Sequence, residues 1–182
     1  MYICAHSIYD KNRNDPYLDD ISLDELVNIK KDSKITFDDG YLSIYKHRKT
    51  LYSLKNKIIL FICPGFVEGD STVWWFELFD YIFGNNNIIL NFTFQSKTYY
   101  YDLSSYKKKE NCFKRLSIIF KNTSSQYHEE LLDIIIKKRY KKNYRNKFLD
   151  WNMINELSNR ENIIIGSHTY SHLNLRNENF SK

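Results

Sequence analysis

Several things are scarce in this chain, and each absence excludes a class of protein. There are three cysteines, Cys4, Cys63 and Cys112, far apart, odd in number and in no metal-ligand spacing. That argues against a disulfide framework or a cysteine metal cluster, and for buried thiols in a reducing compartment. No apolar run approaches the ~18 residues of a membrane span. The N-terminus, MYICAHSIYDKNRND, has no basic segment followed by a long apolar one, as a signal peptide would. A soluble, cytoplasmic chain without a transmembrane segment is expected. Low-complexity linkers and internal repeats are lacking too.

What is present fits one domain. The 182 residues are 42% hydrophobic, enough to build a core without staples and too apolar for a disordered tail. Tyrosine and phenylalanine are abundant, which reflects AT-rich codon usage in part and carries little functional weight. The formal net charge is +5, with basic residues densest in KKRYKKNYRNK, residues 137–147. This run reads either as a contact for nucleic acid or an anionic surface, or as a solvated helix end and loop. The second is preferred, with no nucleic-acid partner, because no nucleic-acid motif accompanies the run.

The local pattern is β–α–β. ISLDELVNIKK reads as a short helix, with Ser22 as N-cap and Glu25 completing a capping box. KITF is a buried strand ending at Asp38-Asp39-Gly40. Residues 41–54 have a helical pattern, and KIILFIC, residues 57–63, is a buried strand stopped by Pro64-Gly65. A parallel pair and an α/β fold follow. Residues 72–84 read as an apolar helix between Thr72 and Gly84. IILNFTF and KTYYYDL read as a hairpin around Gln95-Ser96. Two amphipathic helices are expected over 104–121 and 124–140, with Ser104 and Ser124 or Ser125 as caps. Residues 85–147 thus read as a mixed hairpin and helical insertion in a single domain spanning 1–182. Asp150 caps a further short helix, and NIIIG, residues 162–166, is a strand.

Chemistry concentrates at two strand exits. Asp38 and Asp39 follow one apolar run, and His168 and His172 follow another. In parallel α/β folds the C-terminal strand ends are where active sites assemble. The i, i+4 histidines would share one face of a helical turn. Two imidazoles and one carboxylate form a catalytic zinc-type ligand set. Asp38 or Asp39 is the natural third ligand. The other can then act as a general base on water, held ionised by the cation. Gly40 permits a tight turn or a close backbone approach.

At these residues the sequence resembles the polysaccharide deacetylases of the NodB homology type. Thr36-Phe37-Asp38-Asp39-Gly40 matches that family's first motif. His168-Thr169-Tyr170-Ser171-His172 matches its second, His-Ser/Thr-x-x-His. VWWFEL, residues 73–78, resembles the Trp-Trp-acid segment of bacterial members linked to capsule or surface-glycan synthesis. Residues 148–166 resemble the helix and strand leading into the second motif. Residues 5–18 resemble an N-terminal Tyr-His segment, with Ala5 where Tyr is usual. The resemblance implies a distorted (β/α) barrel and hydrolysis of acetyl groups from N- or O-acetylated sugars. It makes Asp38 the catalytic base. Asp39, His168 and His172 become ligands of a divalent metal ion, zinc first, with cobalt or a similar ion as the alternative. It assigns no substrate-binding residue.

The family's later motifs have no counterpart up to Lys182: an Arg segment that positions the base, an aromatic-acid segment walling the pocket, and a late Leu-x-His that supplies the general acid. The expectation is a C-terminally incomplete barrel, from a truncated or split frame or a fragment, which a second chain would complete. Turnover would be slow, since acid–base groups contribute ~10²–10⁴-fold each. The alternative is a non-catalytic metal- or glycan-binding remnant. Trp74 and Trp75 could stack on sugar, but core packing explains at least one of them better. Tyr99–Tyr101 could line a glycan groove, but alternating strand faces explain them equally well. Trp151 reads as helix-start packing. His6 stays outside the core site, because a lone histidine is more often structural, and His47 and His128 read as surface or half-buried.

Overall fold

The computed structural model describes residues 1–10, 20–84, 89–137 and 139–178. Parts of the N-terminal likeness, the start of the expected insertion and one residue of the basic run lie outside these. The strands are β1 Tyr2–Ala5, β2 Ser7–Tyr9, β3 Asp20–Ser22, β4 Lys34–Phe37, β5 Ile58–Ile62, β6 Ile89–Phe94, β7 Lys97–Asp102 and β8 Ile163–Ser167. The helices are α1 Leu23–Val27, α2 Leu42–Lys46, α3 Arg48–Ser53, α4 Pro64–Glu68, α5 Trp74–Gly84, α6 Tyr106–Asn122, α7 His128–Ile135 and α8 Trp151–Ser158. The chain divides into two compact units, residues 1–71 with 143–172 and residues 72–142 with 173–182.

The first unit is α/β. Its sheet has the order β1-β4-β5-β8, with every neighbouring pair parallel. Ile35 pairs with Ile58, and Ile58 with Ile163, so the isoleucine-rich runs stand in register. One face of β4 and β5 is fully buried, while the other is only partly covered, and Ile164 of β8 is exposed. Ile35, Phe37, Ile58 and Leu60 are fully buried with Leu26, Ile44, Leu51, Leu149 and Leu157. Helix α1 begins as expected. Ser22 accepts from the Glu25 amide at 3.1 Å, and the Glu25 carboxylate accepts from the Ser22 amide at 2.9 Å. Residues 41–54 form two short helices rather than one, because His47 leaves helical geometry at φ −98°, ψ 14°. Asp150 caps α8 by accepting from the Met153 amide at 2.8 Å.

The second unit packs α5, α6 and α7 with the β6–β7 hairpin. Gln95 and Ser96 both take positive φ, 47° and 61°. Such a two-residue turn matches the right-handed twist of its strands, hence the hairpin. Ser105, not Ser104, caps α6, since its side chain accepts from the Lys108 amide. Ser104 instead turns its amide onto Asp102 at 2.8 Å. Helix α7 is shorter than expected, because Ile136 already departs at ψ 79°. Beyond it Arg139 is buried in a two-bond pair with Glu77, at 2.5 and 2.8 Å, and reaches Glu129 and Asp133. Lys141 and Lys142 pair with Glu129 and Asp80. Three cations of the basic run therefore have acidic partners within this unit. Trp74 is buried and stacked on Phe120 at 4.6 Å, the core packing expected of at least one of the two tryptophans. Among the described residues no helix is long and apolar enough to cross a membrane.

Candidate metal centre

The site is built from adjacent strand exits in the first unit. Past β4, the Asp38 amide donates to the Ala5 carbonyl at 3.1 Å, extending the ladder by one residue. The chain then reverses. Asp39 and Gly40 both take left-handed φ, 68° and 81°, and the Gly40 amide donates back to the Asp38 carbonyl at 2.9 Å. The Gly40 carbonyl accepts from the Leu149 amide at 2.8 Å, which ties the turn to the chain entering α8. Glycine is needed at 40 for its φ, and a Cβ there would stand 3.0 Å from Ile62 Cδ1.

The histidine turn follows β8 and is pinned to β5 and α4 by three bonds. The His168 amide donates to the Ile62 carbonyl at 2.9 Å. The Cys63 thiol donates to the His168 carbonyl at 3.3 Å. The Gly65 amide donates to the Tyr170 carbonyl at 2.8 Å. The turn is not helical, contrary to the expectation from i, i+4 spacing. Thr169 and His172 have φ of 63° and 60°, and this double reversal brings both imidazoles to one place. Their ring centroids are 5.0 Å apart. Two of the three candidate ligands, Asp39 and His172, thus sit in the left-handed region, as does the β-branched Thr169. Such conformations cost roughly 1–3 kcal/mol each and persist where surrounding contacts impose them, most often at functional sites.

Asp39, His168 and His172 each bring one ligand atom to within 4.8 Å of the others and could hold a metal ion. Asp39 Oδ1 lies 3.4 Å from His172 Nε2 and 3.6 Å from His168 Nε2. Asp39 is 2% exposed, and Oδ1 accepts no hydrogen bond from any described residue. A carboxylate oxygen left so is costly unless a cation faces it. One carboxylate oxygen and two imidazole nitrogens make a donor set that could hold a metal ion. The side chains of His168 and His172 are 33% and 34% exposed, so the cluster is covered on the aspartate side and open on the histidine side. Closed coordination typifies structural sites, whereas an open position typifies catalytic ones. Burial pulls the His172 imidazole below its ordinary pKa, against the charge of Asp39. His168 and His6 push it the same way, and Asp38 opposes. An imidazole kept neutral is ready to ligate.

Asp38 is half-buried beside this cluster, and Cys4 Sγ donates to its Oδ2 at 3.6 Å. Sequence reasoning expected buried thiols. Cys63 and Cys112 are buried, but Cys4 is exposed. His6, set aside in the sequence, stands one residue past β1, and its side chain acts to lower the His172 pKa. Its signal was the one that marked the other site residues, a polar side chain at a strand exit. Trp151, expected to pack, is 46% exposed, and its indole N–H donates to Glu68 Oε1. His47 and His128 are half-buried, as expected. No family model, no curated protein and no solved structure matches this chain.

Proposed function

We propose that the chain is a metal-dependent hydrolase that removes acetyl groups from N- or O-acetylated sugars of a poly- or oligosaccharide, a polysaccharide deacetylase acting in capsule or surface-glycan synthesis. One observation supports this above all. The Asp-Asp-Gly turn and the His-x-x-x-His turn, 128 residues apart by His168 and Gly40, converge on one buried carboxylate oxygen facing two imidazoles. The parallel sheet would then be part of a distorted (β/α) barrel.

Asp39, His168 and His172 would hold the ion, zinc by preference and cobalt or a similar ion as the alternative. When bound, it would polarise the acetyl carbonyl and lower the pKa of water. Asp38 is the general base. Cys4 Sγ engages its Oδ2, and we assign Oδ1 to take the proton of the attacking water. Burial lowers the His172 pKa, and the bonds from Ile62, Cys63 and Gly65 hold the histidine turn in place, so this chain supplies a prearranged donor set.

A second reading is a metal- or glycan-binding half-domain completed by another chain. It is favoured by the sheet order, in which β1 and β8 are the outer strands. Assay of Asp38→Asn separates the two. The hydrolase reading expects acetate release to fall by about 10²–10⁴-fold with metal retained. Equal acetate release from parent and variant would refute the base assignment, and none from a metal-loaded parent would favour the half-domain.

A further inference from the structure

Tyr170 lies between the two histidines in sequence, and the residue is 52% exposed. Its hydroxyl donates to Asp70 Oδ2 at 2.6 Å. Trp151 opens α8, is 46% exposed, and donates its indole N–H to Glu68. Glu68 is the last residue of α4, and Asp70 follows two residues later. Both rings are therefore tethered by their polar tips to one three-residue segment. Each is also tied to the site through the main chain. The Gly65 amide holds the Tyr170 carbonyl, and the Leu149 amide, two residues before Trp151, holds the Gly40 carbonyl.

Aromatic side chains with one polar tip usually bury their faces and satisfy the tip. Here the tips are satisfied, yet about half of each residue stays open to solvent. An amphipathic ligand with flat apolar faces and hydroxyl edges matches this arrangement. A pyranose has C–H faces to lay on the rings and hydroxyls to donate to Glu68 and Asp70, whose carboxylates are acceptors. We propose that Tyr170 and Trp151 form a stacking platform for a sugar ring of the glycan beside the one that carries the acetyl group. The proposal rests on the carbohydrate reading above. It moves the sugar contact from Trp74, which is stacked in the core of its own unit, to Tyr170 and to Trp151, which the sequence read as helix-start packing.

The test is calorimetric binding of an N-acetylglucosamine tetramer to the metal-loaded protein, with acetate release measured alongside. Trp151→Ala and Tyr170→Ala should each weaken binding about tenfold at unchanged metal content, and Trp151→Phe, which keeps a ring, should recover most of it. Tetramer binding that is equal in the parent and both alanine variants overturns the platform and leaves the hydrolase reading intact. Binding that depends on Trp151 and Tyr170 without acetate release supports the platform and counts against the hydrolase. A metal-loaded parent that does not bind the tetramer, or that uses these rings only to self-associate, overturns the platform.

Discussion

Gly65 touches no metal ligand, yet substituting it with alanine should loosen the ion. Gly65 lies in the first turn of α4, and its amide holds the Tyr170 carbonyl at 2.8 Å. A Cβ at this position would stand 2.9 Å from that carbonyl and 2.8 Å from Ser71 Cβ. Neither distance is tolerated by real side chains, and one neighbour is main chain inside the histidine turn. The turn must therefore move, and the imidazoles with it. Loss of an outer contact that orients ligands typically lowers metal affinity by about 10–100-fold, which is roughly 1.4–2.7 kcal/mol. Forcing an extra methyl into packed structure costs about 1–3 kcal/mol of stability, or roughly 2–4 °C per kcal/mol for a chain of this size. Zinc affinity would be measured by competition with a chromophoric chelator, and thermal unfolding in the presence of a chelator. Adding Ser71→Gly removes the side-chain clash and leaves the carbonyl clash, so affinity should stay depressed in the double variant. Parent-like zinc affinity in Gly65→Ala would refute the claim that this contact sets the turn.

Four further outcomes are expected. Arg139→Ala should destabilise the second unit by about 3–5 kcal/mol, because it leaves the buried Glu77 carboxylate without its partner; urea unfolding measures this. Burial opposes ionisation of Glu129, yet hydrogen bonds from Arg139, Thr72 and Lys141 outweigh it and bring its carboxyl down to about 2. A folded value below the unfolded one means its contribution is complete above roughly pH 5 and lost as pH falls towards 2, so the urea midpoint of Glu129→Gln should vary less across that range than the parent's. Of the three thiols, Cys4 should react rapidly with a thiol reagent in the native state, whereas Cys63 and Cys112 should react only on unfolding, burial having pushed Cys112 to about 12 and Cys63 up as well. Ser96→Gly should raise stability by a few tenths to about 1 kcal/mol by relieving a left-handed serine, seen as a higher melting temperature.

The strands around the site were legible because KITF and IILFI are short apolar, β-prone runs with one face fully buried, and each run was stopped by a recognisable turn signal. The capping box at Ser22 and Glu25 and the cap at Asp150 were legible because caps are local chemistry. The histidine turn was only half legible. Spacing told that His168 and His172 could meet, but a helix was the wrong vehicle. The left-handed residues Thr169 and His172 are imposed by bonds from Ile62, Cys63 and Gly65, about 100 residues away in the chain. A tertiary contact likewise tethers Trp151 to Glu68. Nothing near those residues in sequence encodes their partners. Asp39 and Asp38 were told apart in sequence only by resemblance, whereas burial separates them in the structure, with Asp39 enclosed and Asp38 half-open.

Two distant turns would assemble one metal site. This is tested most directly by metal content per chain in the purified protein, measured beside Asp39→Ala and His168→Ala. About one zinc-like ion per parent chain and little in either variant is expected, with all three folded. A folded parent that takes up no ion when zinc is supplied, or variants that hold as much as the parent, would contradict it.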